Sequence, residues 1–212
     1  GDNLEIIHRF QDFPVFFGCV DSPEKDDLFA EMTWGICPKT GSIQLTRLIP
    51  LDILYQEQHV DGVGKVWNDY YEAFSNYILK NNPKNVLEIG GGFGKLAECC
   101  IKKSDDIKWT IIEPNPLIKE TNRIKVISGF FEQVEKENSD YDCVVFSQVL
   151  EHAYDPKVFM KHISNILLEN RNLIFAYPQL KSWLKRKYTN ALNFEHTILI
   201  DDFVEDLANE AN

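Results

Sequence analysis

The chain has 212 residues, a formal net charge of −11 and a sequence pI of about 4.9, with 44% hydrophobic and 26% charged residues. These proportions are globular and set aside disordered and fibrous classes, and the length suits one domain, or one domain with an appendage. The acidic balance sets aside a duplex nucleic-acid binder and a polybasic membrane anchor, and no apolar run nears the ~20 residues of a membrane span.

Nothing at the N-terminus pairs a basic with an apolar stretch as a signal peptide does. The five cysteines, Cys19, Cys37, Cys99, Cys100 and Cys143, form no C-x-x-C pair. An odd count without pairing reads as reduced thiols in a cytoplasmic protein.

Up to residue 80 the signals are mixed. Apolar stretches at 13–20 and 43–51 are strands or irregular structure. Val66, Trp67, Tyr70, Tyr71, Phe74, Tyr77 and Ile78 recur at helical spacing, so 65–80 is an amphipathic helix. The turn cluster Asn81-Asn82-Pro83-Lys84-Asn85 marks a boundary. Residues 1–80 are therefore expected to form an appendage and residues 81–212 the main domain.

Beyond the boundary, strands and helices alternate. Strands are expected at 85–90, 107–113, 124–128, 141–147 and 172–177. Helices are expected at 94–103, 116–120, 156–168 and 201–208. Five strands separated by helical segments imply an α/β fold with a parallel sheet and right-handed crossovers.

The first strand of this series runs into Glu88-Ile89-Gly90-Gly91-Gly92-Phe93-Gly94-Lys95. Glycines between a buried strand and a helix let the backbone turn sharply and approach a ligand. A dinucleotide fingerprint would need a glycine where Lys95 stands. The pattern is E-x-G-x-G-x-G, and its carboxylate suits a ligand with an ammonium group better than a pyrophosphate. Glu113 closes the next strand about 20 residues beyond the loop, where an acid of a doubly wound sheet accepts hydrogen bonds from ribose hydroxyls. An adenosine carrying an amino acid, S-adenosylmethionine (SAM), meets both requirements.

On these residues the chain resembles class I SAM-dependent methyltransferases, a Rossmann-like fold with helices on both faces of the sheet. The supporting segments are the 88–94 loop, Glu113-Pro114-Asn115, and Val149-Leu150-Glu151-His152-Ala153-Tyr154-Asp155-Pro156. The resemblance implies that Glu88, Gly90, Gly91, Gly92 and Gly94 line the methionyl part of SAM and that Glu113 holds the ribose. Phe130 and Phe131 would meet the adenine, held by stacking because Phe130 stands where many members have an aspartate. Ser147 and Gln148 would face the methyl group. A seven-stranded sheet needs two further strands after the last helix, so the domain is expected to be truncated at its C-terminus or its sheet to be short.

The flanks resemble a narrower group, the nucleotide-sugar C-methyltransferases, which carry an N-terminal zinc knuckle. The likeness lies in Cys37-Pro38-Lys39-Thr40-Gly41-Ser42, Leu54-Tyr55, Trp67-Asn68-Asp69-Tyr70 and Phe194-Glu195-His196-Thr197. Thr40 replaces the second knuckle cysteine. His8, Cys19 and Cys37 fall short of the four ligands of structural zinc. The knuckle therefore reads as a degenerate remnant, and no metal is expected. The resemblance makes His196 the catalytic base with Glu195 orienting it, and His152 and His59 the rival candidates. The expected substrate is a small molecule, a sugar or a nucleotide-sugar or polysaccharide intermediate, methylated on oxygen. Alternatives are another small metabolite, a catalytically silent SAM-binding module, or a nicotinamide dehydrogenase, which Lys95 disfavours.

Overall fold

A computed structural model describes residues 3–16, 27–56, 62–134, 140–187, 193–199 and 203–211. The chain forms two compact units, each assembled from separate stretches. One contains residues 1–54, 150–157 and 177–211; the other contains 55–149 and 158–176. The helix expected at 65–80 belongs to the second unit, so the units do not divide at residue 80.

The second unit is built on a parallel sheet. Its strands are β4 (Asn85–Ile89), β5 (Lys108–Glu113), β6 (Ile124–Ser128), β7 (Tyr141–Ser147) and β8 (Leu167–Ala176), in the order β6-β5-β4-β7-β8. β4 is buried along almost its whole length, as a central parallel strand covered on both faces must be. The core joins Val86 and Trp109 from the sheet to Leu96 and Cys100 of α3 (Lys95–Lys103) and Ile78 of α2 (Lys65–Leu79). Arg123 donates from Nη1 to the carbonyls of Ile101 (3.2 Å) and Ser104 (2.8 Å), capping the end of α3. The strand order reverses at β4, and in open α/β sheets ligands bind beyond the carboxyl ends of the strands at such a point.

All five expected strands of this sheet form. The short helix expected at 116–120 does not. Its backbone is committed elsewhere: the Leu117 amide bonds the carbonyl of Gly92, and the Glu120 side chain accepts the amide of Val126. β8 begins at Leu167, directly after α4 (Pro156–Ile166), and crosses an irregularity with Asn170 at φ +59° before settling into register at Asn172.

The first unit carries an antiparallel sheet, in the order β1-β2-β3-β9, from β1 (Glu5–Pro14), β2 (Phe29–Ile36), β3 (Ile43–Leu45) and β9 (Ile198–Leu199). Met32, Trp34, Leu45, Phe194 and Ile198 are buried in it. The knuckle-like segment is the hairpin loop between β2 and β3. Cys37 donates its amide to Ser42 and accepts that of Gly41, and the Thr40 and Ser42 hydroxyls pair at 3.1 Å. The loop is thus closed by hydrogen bonds on its own residues. Cys19 and the second half of the 13–20 stretch, residues 17–20, lie outside the described residues. The remaining helices are α1 (Leu51–Leu54), α5 (Leu180–Arg186), which the sequence reading missed, and α6 (Phe203–Ala211). No helix among the described residues is long and apolar enough to cross a membrane.

Candidate active site

The glycine loop leaves β4 and caps α3. Gly90 and Gly94 both have φ +71°, a region that L side chains rarely adopt, and Gly94 is the N-cap of α3. A Cβ on Gly90 would stand 2.6 Å from Val149 Cγ2, and one on Gly94 2.0 Å from Ile118 Cδ1. Gly91 runs close over Ile111 and over the Glu88 carboxyl, and Gly92 has φ +48°.

Two buried carboxyls underlie this loop. Glu113 Oε2 accepts the amide of Gly92 at 3.0 Å, and Oε1 accepts that of Asn115 at 3.2 Å. Asn115 in turn donates to the carbonyl of Tyr55 at 2.6 Å. Glu88, 5% exposed, accepts the indole N–H of Trp109 at 2.7 Å. Burial pushes the Glu88 carboxyl up to about 7; the Trp109 hydrogen bond opposes that shift and the nearby Glu113 adds to it. Ionisation of Glu88 is therefore disfavoured until a cation stands beside it. A ligand bearing ammonium and sulfonium groups complements the two carboxyls, whereas a pyrophosphate would be repelled, so the residues present fit SAM.

The other residues expected to bind the cofactor divide. Phe130 is partly exposed, its ring centroid 5.6 Å from that of Tyr55. Phe131 turns into the core against Phe159 and His162. Ser147 ends β7 and its hydroxyl pairs with that of Tyr70 at 2.6 Å, a contact across 77 positions for which the sequence holds no signal. Gln148 follows with φ +56° and donates its amide to Ala176 at 2.9 Å. Non-glycine residues held in the left-handed region cluster at functional sites.

The candidate bases also divide. His59 lies outside the described residues. His152 and His196 lie together in the first unit, ring centroids 5.0 Å apart at 70°. A carboxyl grouped with them is that of Glu151: ligand-type atoms of Glu151, His152 and His196 all lie within 4.8 Å of one another. Glu151 is 3% exposed, and burial pushes its carboxyl up to about 8. The backbone makes this grouping. Thr197 donates its amide to the Glu151 carbonyl at 2.8 Å, and its hydroxyl to the Ala153 carbonyl at 2.8 Å. Asn193 Oδ1 accepts the His196 amide at 2.8 Å. The sequence reading had flagged Glu151 only as a member of the Glu151-His152 motif, and its meeting with His196 depends on a pairing 45 positions apart.

A family model described as "Methyltransferase domain" matches residues 59–205. Among solved structures the chain is similar to human N-acetylserotonin methyltransferase in complex with SAM, at 15% identity over 69% of this chain and 47% of that one, TM-score 0.56. It is similar to mitomycin 7-O-methyltransferase, at 14% identity over 68% of this chain and 48% of that one, TM-score 0.53. It is also similar to the plantazolicin methyltransferase in complex with a pentazolic desmethylPZN analog and SAH, at 16% identity over 66% of this chain and 61% of that one, TM-score 0.53. The chain thus spans about half the length of the first two and about three fifths of the third. No curated protein matches it significantly.

Proposed function

The chain belongs to the methyltransferase domain family, and from that premise we propose that it methylates an oxygen of a small acceptor, using SAM. The observation that carries the cofactor reading is the Gly90–Gly94 loop at the reversal point of the sheet, its Gly92 amide tied to the buried Glu113. Bound SAM supplies the methyl electrophile. Gly90, Gly92 and Gly94 take its methionyl part along a backbone path, at φ +71°, +48° and +71°, that side chains rarely adopt. Glu113, whose oxygens accept the Gly92 and Asn115 amides, stands at the end of β5 for the ribose. Glu88 lies beneath for the ammonium group, and Phe130 takes the adenine, Phe131 being committed to the core.

The acceptor reading is finer and rests on the resemblance of the flanking segments. We assign a sugar or sugar-derived intermediate of surface-polysaccharide biosynthesis. A chain of net charge −11 disfavours a polyanionic acceptor such as nucleic acid. Bound SAM would supply the methyl group to the acceptor oxygen, and His196 is the residue we assign to take the proton of the acceptor hydroxyl. Alignment of that oxygen with the methyl group supplies much of the rate.

Calorimetry of the full chain with SAM and with S-adenosylhomocysteine tests the cofactor reading. Binding of both is expected, with loss in Gly92→Leu; unaltered affinity in that variant overturns the assignment. Turnover against a panel of nucleotide sugars and polysaccharide intermediates tests the acceptor. Turnover only of other small metabolites would overturn the sugar assignment alone. SAM binding without turnover of any acceptor would make the chain a silent binding module.

A further inference from the structure

Glu151 is a buried carboxylate, 3% exposed, with no hydrogen-bond partner on either oxygen. Taking such a group out of water without compensation is costly, so a buried carboxylate usually has donors or a cation beside it. The polar groups that face it are imidazoles. His152 Nε2 stands 3.9 Å from Glu151 Oε1, and one ligand atom from each of Glu151, His152 and His196 lies within 4.8 Å of the other two. Among the described residues this is the only such group of three metal-ligating side chains.

We propose that Glu151, His152 and His196 bind one divalent transition-metal ion of the zinc class through a Glu151 carboxylate oxygen and one ring nitrogen of each histidine. Two imidazoles and a carboxylate suit zinc, cobalt or nickel, whereas magnesium and calcium prefer oxygen alone. Tetrahedral bonds of about 2.0–2.1 Å place ligand atoms about 3.4 Å apart. The group must therefore close by only about an ångström, which rotation of two side chains supplies. Three protein ligands leave a fourth position open. The site sits where the 3-10 turn Leu150–His152 meets the segment before β9, a junction already pinned by Thr197. It owes nothing to the knuckle-like hairpin on which the expectation of no metal was based.

The inference goes beyond methyl transfer and does not depend on it, but the two meet at His196. An imidazole nitrogen that holds a metal has no lone pair for a proton. The metal-loaded and proton-accepting forms of this group therefore exclude one another.

The test titrates the chelator-stripped full chain with Zn(II) and Co(II). One equivalent should bind, and Glu151→Gln, His152→Ala and His196→Ala should each weaken binding by about tenfold or more. Zn(II)-loaded wild type is also read by X-ray absorption, which needs no variant. Imidazole outer-shell scattering with no sulfur neighbour is expected. A sulfur shell, absence of imidazole scattering, or unchanged affinity in folded variants overturns the site, as does failure to bind metal. SAM affinity, measured on the same samples, reports separately on the methyl-transfer reading and is expected to be the same with and without metal.

Discussion

The Glu113 carboxylate reaches across 21 positions to accept the Gly92 amide at 3.0 Å, so the acid that ends β5 also fastens the loop that ends β4. The side chain we propose for ribose recognition thus also fixes the geometry of the loop.

Glu113→Ala should weaken SAM binding by about 1–3 kcal/mol, the range for losing a hydrogen bond to a charged acceptor. Because the loop loosens with it, S-adenosylhomocysteine should lose affinity as well. Isothermal titration with both ligands checks this, and an unchanged Kd for either contradicts the dual role.

Gly94→Ala tests the backbone of the same loop. At φ +71° an added Cβ costs about 1–2 kcal/mol whatever the space around it. Ile118 Cδ1, 2.0 Å from that Cβ, must also move. A lower thermal midpoint and weaker SAM binding are expected together. A midpoint equal to wild type would mean that the loop tolerates another conformation.

Glu88 should make stability, and SAM binding if it meets the ammonium group as proposed, pH-dependent. Its carboxyl, pushed up to about 7 from an ordinary value of 4.5, keeps its proton in the folded chain between those values after the unfolded chain has lost it. The folded state then binds more protons, so its stability falls as pH rises from about 4.5 to about 7 and levels off above. The ceiling is about 3 kcal/mol. Wild type should lose more of its thermal midpoint than Glu88→Gln between pH 5 and pH 8. At pH 7 a cationic ligand should expel the remaining proton. Calorimetry in two buffers of different ionisation enthalpy should show proton release on SAM binding in wild type and not in Glu88→Gln. No release in wild type would separate Glu88 from the ammonium group.

The parallel sheet was legible because each strand is a short buried apolar run bounded by turn residues, and the loop because its glycines and acids keep a fixed spacing along one stretch of chain. Signals carried by one segment survive in the sequence; those that need two do not. The 116–120 stretch reads as helical in isolation, but Leu117 and Glu120 form hydrogen bonds with Gly92 and Val126. β2 (Phe29–Ile36) lacks clean alternation, with Met32, Thr33, Trp34 and Gly35 all buried in succession, so no two-residue period announced it. Phe130 and Phe131 are adjacent and alike in type, yet one stays partly exposed and the other fills the core. The grouping of His196 with Glu151 and His152 joins segments 45 positions apart, which adjacency in a sequence does not display.

The histidine pair is tested by turnover in chelator-treated samples, so that metal occupancy does not obscure proton transfer. With saturating SAM and an acceptor from the active panel, His196→Ala should lower kcat by about 10²–10⁴, the range for general-base catalysis. SAM affinity should stay near wild type, because His196 lies outside the residues assigned to the cofactor. His152→Ala and His59→Ala are the controls. His152 shares the cluster, its ring centroid 5.0 Å from that of His196, so its removal should reduce kcat by less if it only positions the base. Retained turnover in His196→Ala with loss in His152→Ala would move the base to the Leu150–His152 turn. Full activity in all three would mean that the acceptor needs no base and that alignment carries the reaction. Glu151→Gln separates the carboxylate from its burial: it keeps the volume, removes the ionisable group, and should lower kcat only if that carboxyl orients the imidazoles. An unchanged kcat in Glu151→Gln, with kcat lost in His196→Ala, would leave the base acting without help from the buried carboxyl.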